Sequence, residues 1–441
     1  MIPMGHFEDL RARYSTFHYH GYRIAREPER IRLQFDFSID GLCEFHPVTT
    51  IDTRGLSLRN ACDGPIARDL VFALGLVELV SYWKCACPPM VKIHCGALDA
   101  EDIAWWKRLW YHGLGEFFYR NGIGTGIDGF ISVECDSDRH ECLSSEGFLR
   151  EDVSLVPVGG GKDSCVTLHL LGEMGRPLYG FTVNDQPARE ETFAAAGFAP
   201  ERLLRTHRAI DPALLARNAE GFLNGHTPFS AVVAFLGLYC AYLIGAGDLV
   251  LSNEASANET SVPGTDVNHQ YSKSYQFERD CNTWLARRLG LPIRYFSLLR
   301  PFHELQIARQ FAALPQYHFA FKSCNAGSKR NIWCGGCAKC LFVYVMLAPF
   351  LPEERMLEIF GENLMKKPEL RGELRSLLGE THEKPFECVG TVEEVRAALG
   401  LLEGRPERAR KLLRAWNSEH NIPAEFMPAA ERMYAYVGAI A

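Results

Sequence analysis

The chain has 441 residues, 47% of them hydrophobic and 23% charged, with a formal net charge of −7. That length exceeds one typical core, so two or three domains are expected, in an ordinary soluble globular composition. The acidic balance argues against a general nucleic-acid binder, and no stretch has the length and apolarity of a membrane span. The opening Met1-Ile-Pro-Met-Gly-His-Phe-Glu-Asp carries no export-signal pattern, so the fifteen cysteines read as free thiols and metal ligands of a cytoplasmic protein.

Residues 1–150 are expected to form an α+β N-terminal domain. Ile31-Arg-Leu-Gln-Phe-Asp-Phe alternates apolar and polar, as a half-buried strand does, and Cys43-Glu-Phe-His-Pro-Val is a weaker second strand. Asp69 to Trp83 reads as a buried helix. Asp99 to Arg120 reads as a second one, capped by Asp99 and ended by the glycine-rich Asn121-Gly-Ile-Gly-Thr-Gly. Cys85, Cys87, His94 and Cys95 fit no standard zinc spacing and read as buried thiols.

Residues 151–322 alternate strand and helix, which predicts a parallel sheet covered on both faces. Its first strand, Val153-Ser-Leu-Val-Pro-Val, runs into Gly159-Gly160-Gly161-Lys162-Asp163-Ser164 and then a helix. Glycines let the backbone approach a ligand closely, and a helix N-terminus offers free N–H groups to an anion. Lys162 adds a point charge, and Ser164 can cap the helix or bond a phosphate oxygen. Further strands are expected at Leu178–Val183, at Leu203-Leu204, at Asp248–Ser252 and at Pro292–Ser297. Helices are expected at Arg189–Ala196, Phe229–Ala246, Phe277–Leu289 and His303–Leu314. Ligands of such sheets bind at the carboxyl ends of the strands. The long polar loop from Ser252 to Ser274 leaves the fourth strand at that edge. Its Glu254, His269, Tyr271 and Lys273 can each act as acid, base or ligand, or be solvated loop side chains.

Cys324, Cys334, Cys337 and Cys340 fall within seventeen positions, three of them as C-x2-C-x2-C with glycines between. Four thiolates suit a closed tetrahedral site, most simply structural zinc, with an iron–sulfur cluster as the alternative. Residues 323–441 are expected to hold this knuckle and a small helical C-terminal domain, with helices at Leu341–Phe350, Pro352–Phe360, Thr391–Leu402 and Glu407–Trp416.

The loop Gly159–Ser164 is not the common GxxxxGK[ST] phosphate loop. It resembles the signature of the PP-loop ATP pyrophosphatases, in which a substrate oxygen attacks the α-phosphorus and pyrophosphate leaves. Pro157, near the end of the preceding strand, departs from that pattern. The cysteine run resembles the one that follows the PP-loop domain of 7-cyano-7-deazaguanine synthase. Together with Ser252-Asn-Glu-Ala-Ser-Ala-Asn, Val267-Asn-His-Gln-Tyr-Ser-Lys-Ser and Leu347-Ala-Pro-Phe-Leu, these stretches resemble the MurL family of UDP-N-acetyl-α-D-muramoyl-L-alanyl-L-glutamate epimerases. The resemblance implies a PP-loop fold and inversion of the terminal L-glutamate of UDP-MurNAc-L-Ala-L-Glu in peptidoglycan precursor synthesis. It also implies ATP and Mg²⁺ as requirements, AMP and pyrophosphate as products, and neither nucleic acid nor membrane as partner.

A Cα–H beside a carboxylate is a very weak acid. Adenylation makes a neutral mixed anhydride, so the carbanion can delocalise as an enolate, and two groups on opposite faces can then exchange the proton. His269 is the leading candidate because its ordinary pKa lies nearest neutrality. Tyr271 or Lys273 follows for the other face, then Glu254; Cys165 sits where its helix packs. Two other readings remain at this stage, an ATP-dependent ligase or amidase of the deazaguanine-synthase kind and an RNA-gripping zinc module.

Overall fold

The architecture is that of a computed structural model, which describes residues 6–137, 148–262, 264–265, 267–269 and 271–439. The five opening residues read above for an export signal, and Pro263, Asp266 and Gln270 of the polar loop, lie outside them.

Eleven strands among the described residues form one sheet. They are β1 (Thr16–Arg26), β2 (Arg30–Ile39), β3 (Cys43–Phe45), β4 (Val48–Asp52), β5 (Met90–Ala97), β6 (Ser132–Ser137), β7 (Glu151–Pro157), β8 (Leu178–Val183), β9 (Leu203–Ala209), β10 (Ala246–Leu251) and β11 (Arg294–Ser297). Their order is β11-β10-β7-β8-β9-β4-β2-β1-β5-β6, with β3 paired to β2. The stretch from β11 to β9 is parallel, as the strand–helix alternation predicts. The sheet is nevertheless mixed, because β4 joins β9 antiparallel through Val48 to Ile51, and β4-β2-β1 continue antiparallel. The boundary expected at residue 150 therefore falls inside a continuous sheet.

The parallel strands are buried on both faces, so successive side chains enter different cores. Leu155, Leu249 and Tyr295 face a core shared with the N-terminal residues. Their neighbours Val156, Val250 and Phe296 face the core that holds the C-terminal helices. In the first core the helix Pro65–Trp83 packs against the nearly all-apolar helix Phe229–Ile244. The former opens four residues earlier than the pattern suggests, since Pro65 suits the first helical position. Asp99 does cap a helix, but the helix ends at Gly113 and a second runs Gly115–Arg120. Two glycines around Leu114 weaken the turn there, and Pro228 packs on Gly113. His46 and Pro47 break the expected strand at 43–48 into β3 and β4. No helix among the described residues is long and apolar enough to cross a membrane.

Candidate active site

A cavity of about 300 Å³ opens at the carboxyl ends of β7 and β10. The glycine loop forms one wall. Gly160 has φ +80°, and a Cβ there would meet Ala188 at 3.2 Å, so the turn admits only glycine without strain. Gly161 precedes the helix Lys162–Glu173, whose N-terminus has no side-chain cap, and the Ser164 hydroxyl donates to the Gly161 carbonyl at 2.9 Å. The first-turn N–H groups are thus not taken by a cap. Gly159, Gly161, Asp163 and Ser164 line the cavity, and Arg189, Lys322 and Lys339 bring positive charge to it. Of these cations the sequence pattern offered no hint, since they come from three separate segments.

Lys162 is placed differently from a loop cation. It is 4% exposed and ion-pairs with Asp163 and with the equally buried Glu304. Burial pushes the Glu304 carboxyl up, against the pull of Lys162, to about 8. Lys162 anchors the loop to the helix Glu304–Ala312, so it cannot be removed without touching the core.

The polar loop is ordered by one arginine. Arg300 is fully buried and donates to the carbonyls of Glu254 at 2.8 Å and Lys273 at 2.6 Å, and to Glu278 at 3.1 Å. It clamps both ends of the loop and brings Glu254 and Lys273 into the cavity wall. Burial pushes the Glu254 carboxyl up. Tyr271 is instead a packing group, buried with its ring 5.0 Å from His112, and burial drives its hydroxyl far above the ordinary value.

His269 lies outside the cavity lining. Its Nδ1 donates to Glu116 Oε2 at 2.5 Å, and its ring is 4.3 Å from that of His226. Burial pulls His269 down, but Cys388 and Glu116 outweigh it and hold it up at about 9. His226 goes the other way, to about 4, through burial and the charge on His269. The link from His269 to the cavity is Cys388, a residue without any sequence signal. Cys388 lines the cavity and accepts from Lys273 Nζ at 3.1 Å. Burial pushes its thiol up, yet Lys273, His269 and Lys339 hold it well below the usual thiol range. Cys165 is buried, its thiol pushed far up, and it does not line the cavity.

The sulfurs of Cys324, Cys334, Cys337 and Cys340 lie within 4.8 Å of one another. The pairs Cys324–Cys337, Cys334–Cys340 and Cys337–Cys340 are 3.9, 3.7 and 3.5 Å apart. Metal–sulfur bonds of about 2.3 Å in a tetrahedron put sulfurs about 3.8 Å apart, so the donor set fits zinc. Gly327 N–H donates to Cys324 Sγ at 3.1 Å, and a Cβ on Gly327 would overlap the Ile332 carbonyl at 2.0 Å. Cys85 and Cys87 are buried in the N-terminal core with thiols pushed up, as the spacing suggests. A larger surface concavity of about 810 Å³, lined by Glu173, Arg432 and Tyr436, lies apart from the glycine loop.

Comparison with known proteins agrees along most of the chain. The family model described as the MurL N-terminal domain matches residues 8–298, and the MurL C-terminal domain matches residues 320–431. A protein of Xanthomonas oryzae pv. oryzae (strain MAFF 311018) is 39% identical over 76% of this chain and 74% of its own length. Relatives from Micromonospora sp. and Salinispora tropica are 36% and 35% identical, each over 83% of this chain and over 83% and 81% of their own lengths. All three are named UDP-N-acetyl-alpha-D-muramoyl-L-alanyl-L-glutamate epimerase. With both domain models in chain order and relatives above 30% identity over most of its length, the chain belongs to the MurL family.

Proposed function

We propose that the chain inverts the terminal glutamate of UDP-MurNAc-L-Ala-L-Glu, and that it activates the glutamate carboxylate as an acyl-adenylate at the glycine loop. The observation that carries this reading is the shared cavity, in which an uncapped helix N-terminus and three cations meet Glu254, Lys273 and Cys388. The N–H groups after Gly161 suit phosphate oxygens, and the cations suit the charge that builds up as pyrophosphate leaves. Asp163 offers a carboxylate oxygen of the kind magnesium takes, and the ion would neutralise charge between phosphates. Neutralising the substrate carboxylate as an anhydride makes its Cα–H acidic enough for side-chain bases. The cavity wall supplies both a raised carboxyl, Glu254, and a depressed thiol, Cys388, which is the split acid–base work requires. Cys324, Cys334, Cys337 and Cys340 would hold zinc as a structural ion, because four protein ligands leave no position for water.

Product analysis tests the adenylation step. With ATP, magnesium and substrate, AMP and pyrophosphate should appear in equal amounts and only when substrate is present. Stoichiometric ADP and phosphate would contradict the reading.

A further inference from the structure

We infer that the sulfur of Cys388 is a proton carrier for the glutamate Cα, with His269 and Glu116 behind it as positioning residues. This rests on the epimerase reading of the cavity. Three observations meet at the one sulfur, and a fourth lies in the same cavity wall. Cys388 lines the cavity that the glycine loop also lines. Lys273 Nζ stands 3.1 Å from it. His269 hydrogen-bonds to it and is held in turn by Glu116 at 2.5 Å. The fourth is Glu254, 5% exposed, a carboxylate in the same wall whose side-chain partner is Ser256 Oγ at 3.5 Å.

The loop that carries Cys388 is held by residues distant from it in the chain. Arg120 lies 4.7 Å over the Phe386 ring, and the Lys384 N–H donates to the Ser261 carbonyl at 3.2 Å. Lys339 donates to the Cys388 carbonyl. The cationic groups around this thiol favour its thiolate form. Cys165, Cys240 and Cys281 are buried among apolar side chains, with thiols pushed far up.

The step balances without another reagent. The Cys388 thiolate takes the Cα proton, and the C–H electron pair moves into the acyl carbonyl as an enolate. Glu254, protonated, returns a proton to the other face, and the pair moves back to form the inverted C–H bond. Water then cleaves the anhydride and AMP leaves. Cys388 ends as thiol and Glu254 as carboxylate, and one proton exchanged with solvent at each restores the start.

The full-length Cys388→Ser and Cys388→Ala variants test this. Deuterium uptake at the glutamate Cα should fall by at least 100-fold, the scale of a lost general base, and by at least tenfold more than substrate-dependent pyrophosphate release falls. A second measurement needs no folded variant. Alkylation of Cys388 by iodoacetamide in the parent should change less than threefold between pH 6.5 and 8.5, where an ordinary thiol gains roughly 50-fold in thiolate. The His269→Gln variant should steepen that slope without restoring the ordinary one, because Lys273 and Lys339 still lower the thiol. Three results would overturn the proposal: variants that exchange deuterium at more than a tenth of the parent rate, an ordinary alkylation slope in the parent, or substrate held covalently on Cys388 after acid quenching. If the parent itself shows no ATP-dependent exchange, the reading of the site falls first and the proposal with it.

Discussion

At the scale of single residues the decisive feature is which charges are buried. Lys162 looks from the sequence like a cation free to meet phosphate, and the structure sinks it between Asp163 and Glu304. Removing one partner of a buried pair costs about 3–5 kcal/mol, because the other charge is stranded. Lys162→Met should therefore lower stability by about that amount in urea unfolding. The deficit should depend on pH. Glu304 has a folded-state pKa of about 8, above its ordinary 4.5. A raised acid stabilises the fold while protonated, so its contribution is complete below pH 4.5 and fades as pH rises through about 8. Without Lys162 that value rises further. The variant should be closest to the parent below pH 5 and furthest from it above pH 8, and adding Glu304→Gln should recover part of the loss. An unchanged urea midpoint at pH 8 would contradict the anchoring role of Lys162.

At the scale of elements, local pattern and outcome agree where burial is one-sided or complete. The glycine loop, the helix Phe229–Ile244 and the knuckle are short-range features, and each lies where spacing puts it. The knuckle also starts the buried helix Ala338–Leu347, since Cys337 caps it and Cys340 lies in its first turn. A metal bound there would add its binding energy to the folding of the C-terminal core. Elemental analysis should find about one zinc per chain. Cys337→Ser should lose it, with a lower melting temperature before any specific loss of adenylation. Iron and sulfide would replace the zinc assignment and keep the four ligands. What stays hidden in the sequence is what distance along the chain conceals. β1 alternates Phe17 and Tyr19 inward with His18 and His20 outward, but Gly21 and a register shift interrupt it. Cys388 meets Lys273 across 115 residues, from a loop with no periodicity. His269 is legible as a titratable loop residue, whereas its pairing with Glu116, 153 positions away, is not.

At the scale of the whole molecule, the N-terminal strands do not stand apart from the parallel strands that carry the glycine loop. They extend the same sheet through the β4–β9 pairing. The buried Glu78 of the first long helix holds Arg208 of β9 at 2.5 Å, and Arg288 joins Asp102 at 2.8 Å across the same core. This continuity lets Glu116, His269 and Cys388, from the three thirds of the chain, meet beside one cavity. On the proposed function, proton exchange at a carbon and splitting of ATP share this one cavity. That coupling is tested most directly by incubating the enzyme in heavy water with UDP-MurNAc-L-Ala-L-Glu, with and without ATP and magnesium, and reading the glutamate Cα by mass and configuration. Deuterium should enter Cα together with inversion to D-glutamate, only with ATP present. Inversion that proceeds equally without ATP, or without deuterium uptake, would contradict it.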